Sequence, residues 1–293
     1  MRGQFKQTVM EIAKTDDRIV LVLGDISVYM FKAFQELYPD RFYNMGICEN
    51  TLISVAAGLS SQGFHPFVHS ITPFVTERSY EQIKLDMCYN GFGGNIVTCG
   101  ASFDYAWDGA THQCATDLAI LRLLPDMVVF QPGSKKEVDA LIRARYASGG
   151  TTYYRLSDHP HAVELPDIVP GKGIVLRNES APLTVMTAGP ILPNVIDACR
   201  DLAVNLVYFH TIKPIDRDLV NSFKQTDILV VQDAHGLFEA VTEIPGTRVW
   251  RQGLPDAFLR DYGKVQDMRQ FVGLDPASIR LTVEARLSEQ AAA

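Results

Sequence analysis

A carboxylate opens an otherwise apolar helix pattern in the stretch Phe42-Tyr43-Asn44-Met45-Gly46-Ile47-Cys48-Glu49-Asn50, which runs into Leu52-Ile53-Val55-Ala56-Ala57-Leu59. The spacing of these apolar residues predicts a helix that begins near Glu49 and packs against a core. Ionisation of a carboxylate is unfavourable beside such an apolar surface unless a partner compensates it. Glu49 is therefore expected to have a specific proton partner.

Strand-like and helix-like runs alternate on both sides of this stretch. The predicted strands are 18–23, 66–68, 95–98, 127–130, 152–155, 183–186, 206–209 and 228–231. The predicted helices lie near 31–37, 80–88, 135–147, 194–202 and 219–223. This alternation predicts an α/β fold in which mostly parallel sheets are flanked by helices.

The segment from Asp158 to Gly173 interrupts the alternation with three prolines and no periodicity, which is typical of an extended linker. We therefore predict a first domain over 1–160, a linker over 161–175 and a second domain over 176–287, followed by a disordered tail over 288–293. Each domain is expected to contain a mostly parallel sheet flanked by helices.

Composition narrows the classes of partner. With 293 residues, of which 47% are hydrophobic, the chain is long and apolar enough for two buried cores. A net charge of -7 argues against nucleic acid and anionic membranes as partners.

The sequence has no apolar block of the kind found in signal peptides or membrane spans, so we expect a cytoplasmic protein. The 5 cysteines include no CxxC pair, which indicates reduced thiols rather than a disulfide framework or a zinc site.

Several motifs, in order and spacing, resemble the transketolase family. The run LGDISVYMFKAFQELYPDRFYNMGICENTLISVAAGLSSQGFHPFV is similar to its pyrimidine-binding domain, and the similarity continues through FVTERSYEQI, DGATHQ and DLAILR. After the linker, KGIVLRNESAPLTVMTAGP and IKPID resemble the C-terminal domain of transketolases. The resemblance implies a thiamine diphosphate enzyme that transfers a two-carbon ketol unit from a ketose, here a non-standard sugar or sugar phosphate, to an aldehyde acceptor.

The resemblance also implies which residues contact the cofactor. Glu49 matches the catalytic glutamate, whose hydrogen bond to N1′ of the aminopyrimidine favours the imino tautomer that accepts the C2 proton of the thiazolium. Phe74 is the candidate for stacking on the pyrimidine, and Ile71 occupies a neighbouring position that is commonly aromatic in the family. Asp25 matches an acidic position near the cofactor. Without the resemblance, Glu49 would be interpreted as a residue at a helix N-terminus whose negative charge is stabilised by the helix macrodipole.

The substrate residues follow from the same comparison. In the loop around Gly109, where glycine indicates a tight backbone path, Asp108 matches a residue that contacts a sugar hydroxyl. His112 matches a residue that hydrogen-bonds substrate oxygens and is a catalytic proton partner. Arg155 has two open interpretations. It matches an arginine that binds a substrate phosphate, or it forms a salt bridge at the domain interface.

The sequence departs from the family pattern around this loop. The position of a phosphate-binding histidine aligns with Gly100, and Trp107 replaces the usual glutamate before the Asp-Gly pair. The loss of a cation and the gain of Trp107 and Tyr105 are expected to shift preference away from a small sugar phosphate.

The diphosphate-binding GDG motif of thiamine enzymes does not occur in the sequence, since Leu23-Gly24-Asp25-Ile26 lacks the second glycine. Mg²⁺ prefers an octahedral set of oxygen ligands. We predict that this chain has no such set of ligands. The sequence is therefore interpreted as the smaller subunit of a split transketolase, in which a second subunit supplies the diphosphate- and Mg²⁺-binding domain. An α2β2 heterotetramer is the expected assembly.

Two other functions remain open. The chain is also compatible with a beta subunit of a 2-oxo acid dehydrogenase or an acyloin-forming thiamine enzyme, although the DGATHQ loop favours a polyhydroxylated donor. A non-catalytic regulatory or scaffolding subunit is the alternative outside enzymes.

Overall fold

Runs of buried branched side chains form the central strands of two sheets in the computed structural model, which describes residues 1–291. The strands are β1 (Ile19–Leu23), β2 (Phe42–Asn44), β3 (His65–Ile71), β4 (Gly94–Cys99), β5 (Val128–Phe130), β6 (Thr151–Arg155), β7 (Ile174–Arg177), β8 (Leu183–Ala188), β9 (Asn205–Phe209), β10 (Thr211–Lys213), β11 (Asp227–Val231) and β12 (Arg248–Gln252).

Helices cover the sheets. They are α1 (Arg2–Ile12), α2 (Lys32–Leu37), α3 (Glu49–Ser61), α4 (Thr72–Thr76), α5 (Tyr80–Gln82), α6 (Asp117–Arg122), α7 (Lys135–Arg145), α8 (Leu192–Ala198), α9 (Arg217–Ser222), α10 (Leu237–Thr242), α11 (Val265–Phe271) and α12 (Pro276–Ala291). A π-helical segment, Ile83–Tyr89, continues α5, and short 3₁₀ turns include Ala106–Thr111.

The first sheet has the order β10-β5-β6-β4-β3-β1-β2, and the second has the order β12-β11-β8-β9-β7. Neighbouring strands are parallel except at one edge of each sheet, where β10 runs antiparallel to β5 and β7 antiparallel to β9. Every residue of β1, β4, β6 and β8 is buried, as expected for parallel strands covered by helices on both faces. The predicted α/β fold with two mostly parallel sheets is confirmed.

The structure adds two details to the predicted segments. The predicted linker contains no helix or strand until β7 begins at Ile174. Strand β10 follows the linker in sequence but pairs with β5 of the first sheet, so the two halves of the chain also share a strand ladder.

The tail differs from the prediction. Residues 288–291 continue α12 as a helix instead of forming the expected disordered segment, while residues 292 and 293 lie outside the described part of the chain. Within residues 1–291, none of the helices combines the length with the apolar composition needed to cross a bilayer.

The sheet topology places the predicted site residues at one edge. Because β1, β3, β4 and β6 are parallel, their carboxyl ends meet there. Helix α3 begins at Glu49 a few residues after β2, so its first turn lies beside this edge.

Candidate functional site

Glu49 is the first residue of α3 and is only 1% exposed. Its Oε2 accepts a hydrogen bond from Arg78 Nη1 at 2.6 Å, and its Oε1 lies 3.5 Å from the Ser70 hydroxyl near the end of β3. A buried carboxylate requires such compensation. Arg78 is thus the ion-pair partner of Glu49 in this structure. The weak contact to Ser70 leaves Oε1 able to accept a stronger hydrogen bond, and the expected proton partner stays a prediction.

Arg78 connects Glu49 to an aromatic group. The guanidinium carbon lies 4.5 Å from the centroid of the Phe74 ring, within cation–π distance. Phe74 in turn packs edge-on against His112, with 5.1 Å between ring centroids. The structure therefore brings three predicted residues into one row, linked by Arg78. No role was predicted for Arg78 from the sequence, although its position four residues after Phe74 was a usable signal.

The loop that carries Asp108 and His112 is a 3₁₀ turn with a kink at Gly109, where φ is +69°. A Cβ built on Gly109 would come within 2.5 Å of the Tyr262 ring, so glycine permits the second half of the chain to pack on this loop. Asp108 is exposed and His112 is half-buried, with Nδ1 2.8 Å from the Thr111 hydroxyl. Both side chains are at least partly accessible to solvent.

Asp25 and Ile71 lie at the same sheet edge but are not joined to this row by hydrogen bonds. Asp25 is exposed, has a left-handed backbone with φ 56°, and exchanges two hydrogen bonds with Asn44. Ile71 is the last residue of β3 and directly follows Ser70. Their predicted contacts with a cofactor stay predictions.

Arg155 lies away from the open side of the site. Its side chain is 1% exposed, and its Nε donates to Asp117 Oδ2 at 2.7 Å, while Nη1 lies 3.8 Å from Asp233 just after β11. Burial by itself lowers the pKa of Arg155, but the charges of Asp117 and Asp233 outweigh it and hold the pKa above its usual value. The geometry corresponds to the salt-bridge interpretation, and a buried guanidinium with these partners does not meet a substrate phosphate.

The same guanidinium holds the base of the site loop. Ser102 and Cys114 form an antiparallel bridge where the loop begins and ends, and Arg155 Nη2 donates to the Ser102 hydroxyl at 2.9 Å and to the Cys114 carbonyl at 3.1 Å. Within the loop, burial raises the pKa of Asp104 to about 7 against the opposing hydrogen bonds from Ser157 and Asp158. Asp108 and His112 are therefore carried on a loop with a fixed base.

A cavity of about 420 Å³ opens beside the loop. Its lining comprises Glu77, Ser102, Phe103, Ala110, Gln113, Cys114, Ala115, Thr116, His235 and the segment 254–259. The Gln113 amide nitrogen is buried there without a hydrogen-bond partner among the described residues. A mostly apolar cavity with a few polar groups suits a small molecule with hydrogen-bonding groups.

A metal site is not part of this arrangement. Among residues 1–291, no group of three or more His, Cys, Asp or Glu side chains is placed to hold a metal ion. The edge provides a buried carboxylate and an accessible aromatic ring, which together can hydrogen-bond and stack on a flat heterocycle.

Comparison with known proteins gives a consistent result. Residues 1–158 match the family described as transketolase, pyrimidine binding domain. An uncharacterized 33.6 kDa protein in the fasciation locus of Rhodococcoides fascians is 30% identical, with 97% of this chain and 93% of that protein covered. A 6-deoxy-6-sulfo-D-fructose transketolase subunit, SqwH, of Clostridium sp. (strain MSTE9) is 29% identical over 90% of this chain and 88% of its own length. A solved structure described as a split gene transketolase, inactive beta4 tetramer, superposes with a TM-score of 0.85 at 28% identity, covering 98% of this chain and 97% of that one.

Proposed function

This chain belongs to the transketolase family, and from that premise we propose that it is the smaller subunit of a split transketolase. The complete enzyme transfers a two-carbon ketol unit from a ketose, a non-standard sugar or sugar phosphate, to an aldehyde acceptor. The observation that carries the proposal is the row Glu49, Arg78, Phe74 and His112 at the carboxyl edge of the first sheet.

The residues at this edge fit the aminopyrimidine half of thiamine diphosphate. Glu49 would hold N1′ through Oε1, whose contact to Ser70 is long, and Phe74 would pack against the ring. When bound, the cofactor supplies a carbanion equivalent for carbon–carbon bond cleavage and formation. The position of Glu49 at the start of an apolar helix suits a carboxylate that exchanges a proton with a ring nitrogen rather than with solvent.

The described residues do not fit the diphosphate and Mg²⁺ half, since they include no cluster of metal ligands. We therefore assign that half to a second subunit that carries a GDG motif. The matches along most of both chains to a transketolase subunit from Clostridium and to the structure described as a split gene transketolase support this division of the enzyme. An α2β2 heterotetramer would build each site from both kinds of chain.

Asp108 and His112 act on the substrate in this proposal. The exposed Asp108 carboxylate orients a sugar hydroxyl, and the half-buried His112 donates or accepts a proton at a substrate oxygen. The Thr111 hydroxyl beside His112 Nδ1 limits the orientation of the imidazole, so that Nε2 is the nitrogen left for the substrate.

Reconstitution tests the proposal. The chain is purified alone and with a second chain carrying the GDG motif, and both samples receive thiamine diphosphate, Mg²⁺ and either a ketose or a 2-oxo acid. We expect ketol transfer by the complex only. Turnover of a 2-oxo acid that lacks a ketol group, such as pyruvate, without turnover of the ketose would indicate the dehydrogenase or acyloin alternative. Full activity of the isolated chain would overturn the split-subunit assignment, and an inactive complex would favour a scaffolding role.

A further inference from the structure

Tyr105 occupies the space that a side chain at position 100 would need. Gly100 directly follows β4 and has φ +74°, and a Cβ built on it would overlap the Tyr105 ring. The ring is itself 8% exposed, so it cannot swing away into solvent without opening the loop. A larger residue at position 100 and an aromatic ring at position 105 therefore exclude each other in this backbone.

The Tyr105 ring forms an uncharged wall beside His112. Its centroid lies 6.3 Å from that of His112 and 5.4 Å from that of Trp107. The phenol oxygen lies 3.7 Å from Cys99 Sγ, and burial raises the pKa of the Cys99 thiol to about 12, so this group is neutral as well. Burial likewise raises the pKa of the Tyr105 phenol. The wall carries no positive charge that would compensate a desolvated anion.

The cations near the wall are each paired with a carboxylate. Arg78, which is 45% exposed, binds Glu49 at 2.6 Å. Arg155 is enclosed by Asp117 and Asp233. Arg2, whose charge acts on Tyr105, binds both carboxylate oxygens of Asp158 at 3.0 and 2.8 Å. A phosphate dianion here would have to compete with these carboxylates.

The neighbouring cavity has the same character. The residues that line it include two carboxylates, those of Glu77 and Asp256, but no lysine or arginine. Its one imidazole, that of His235, has its Nδ1 3.4 Å from Glu239 Oε1 and 3.2 Å from Nη1 of Arg251, an arginine that does not line the cavity. Hydroxyl groups satisfy such acceptors, whereas a phosphate would be repelled by them.

We propose that Tyr105 is a specificity-determining residue that excludes a phosphate group from the substrate end beside His112, so that the acceptor is an uncharged hydroxyaldehyde. This inference rests on the proposed function and narrows it, because it selects the unphosphorylated class from the sugars and sugar phosphates considered above. Asp108 and His112 would still hydrogen-bond the hydroxyl groups near the reacting carbonyl.

The test uses the reconstituted complex of both subunits. Hydroxypyruvate serves as donor because it has no sugar end: its carboxyl group leaves as CO₂, and the remaining two-carbon ketol unit bonds to the aldehyde carbon. The acceptors are matched pairs, glycolaldehyde with glycolaldehyde phosphate and D-glyceraldehyde with its 3-phosphate. We expect kcat/KM to be about tenfold or more higher for the unphosphorylated member of each pair. Equal values, or a preference for the phosphate, would overturn the inference while leaving the proposed function intact.

Two variants locate the effect. Tyr105→Phe keeps the ring and is expected to keep the preference. The double change Gly100→His with Tyr105→Ala removes the wall and adds an imidazole, and we expect it to reduce the preference by about tenfold. An unchanged preference in a folded double variant would contradict the role of Tyr105. If the double variant does not fold, the wild-type comparison still decides the substrate class. Ketol transfer that cannot be detected with any acceptor would instead overturn the proposed function, and this inference with it.

Discussion

Two arginine–carboxylate pairs at the same sheet edge differ in their exposure to solvent. In the Arg78–Glu49 pair the side chains are 45% and 1% exposed, whereas in the Arg155–Asp117 pair they are 1% and 0% exposed. Glu49 is thus buried behind a cation that water or a ligand can reach, while Arg155 is enclosed on all sides. The same ionic chemistry thus keeps a carboxylate available in one place and fixes a backbone in another.

The closed pair, Arg155–Asp117, connects parts of the chain that are far apart in sequence. Arg155 binds both ends of the loop that carries Asp108 and His112, and the Ser102 hydroxyl at the loop base donates to the Asp233 carbonyl in the second half of the chain. The position of the site loop therefore depends on the packing of the two halves. Among the described residues, the open pair, Arg78–Glu49, makes no such hydrogen bonds to the second half of the chain. Its geometry can therefore change when a ligand binds.

The largest effect is expected at the open pair. Glu49→Gln keeps the shape of the side chain but removes its ability to accept a proton, so kcat of the reconstituted complex should fall by about 10²–10⁴-fold. Steady-state kinetics measures this, with complex formation checked by size-exclusion chromatography. Glu81→Gln, at an exposed position on α5, is the control and should leave kcat unchanged. An unchanged kcat in the Glu49 variant would support a scaffolding subunit.

The closed pair should dominate stability. Arg155→Met leaves Asp117 buried without its cation, and we expect the free energy of unfolding to drop by about 3–5 kcal/mol. Urea unfolding at a fixed protein concentration measures the change. Arg248→Met breaks an arginine–aspartate pair whose arginine is 67% exposed, and should cost about 1 kcal/mol or less. Similar losses in the two variants would remove the distinction between closed and exposed pairs.

His69 separates the effect of burial from that of ion pairing. It is fully buried in β3, where burial lowers its pKa to about 4 although its Nδ1 donates to the Val97 carbonyl. The unfolded chain binds a proton below about pH 6.5 whereas the folded chain does not, so stability falls as the pH falls towards 4.

The contribution of His69 should be about 1.4 kcal/mol per pH unit between about pH 6 and 4. His69→Gln removes the titrating group and should make the unfolding free energy less dependent on pH in this range, as followed by urea unfolding at several pH values. A steeper dependence in the variant would show that His69 is protonated in the folded chain.

A smaller effect than at the closed pair is expected when the open pair loses its cation. Arg78→Met leaves the buried Glu49 carboxylate with only its long contact to Ser70, and we expect the free energy of unfolding to drop by about 1–3 kcal/mol. The loss should be smaller than that of Arg155→Met because almost half of the arginine side chain lies in water, so solvent is close to the carboxylate. Urea unfolding under the conditions used for the Arg155 variant gives the comparison. A loss as large as that of Arg155→Met would mean that Arg78 is a structural residue rather than a replaceable partner of Glu49.

The fold was largely predictable because its central strands are continuous apolar runs. Such runs identify buried parallel strands without knowledge of their neighbours, as for β1 and β11. The edge strands β2, β7, β10 and β12 were not predicted, because edge strands carry mixed side chains and depend on their partners. Helices α11 and α12 were also not identified, and the final turn of α12 was taken for a disordered tail.

The candidate site residues were assigned through motifs that resemble the transketolase family. Glu49, Phe74, Asp108 and His112 were named in this way, and the structure brings three of them into one row. The residues that these side chains contact were not predicted. The pairing of Arg155 with Asp233, and the packing of Tyr262 on Gly109, join positions that no local pattern connects.

The most direct test of the account is a structure of the two-subunit complex with thiamine diphosphate and Mg²⁺. We predict that a Glu49 carboxylate oxygen lies within about 3 Å of N1′ of the aminopyrimidine, as a hydrogen bond requires, with Phe74 against the ring and the metal held by the second subunit. A cofactor bound with Glu49 directed away from its ring, or a cofactor held wholly within one chain, would contradict the account.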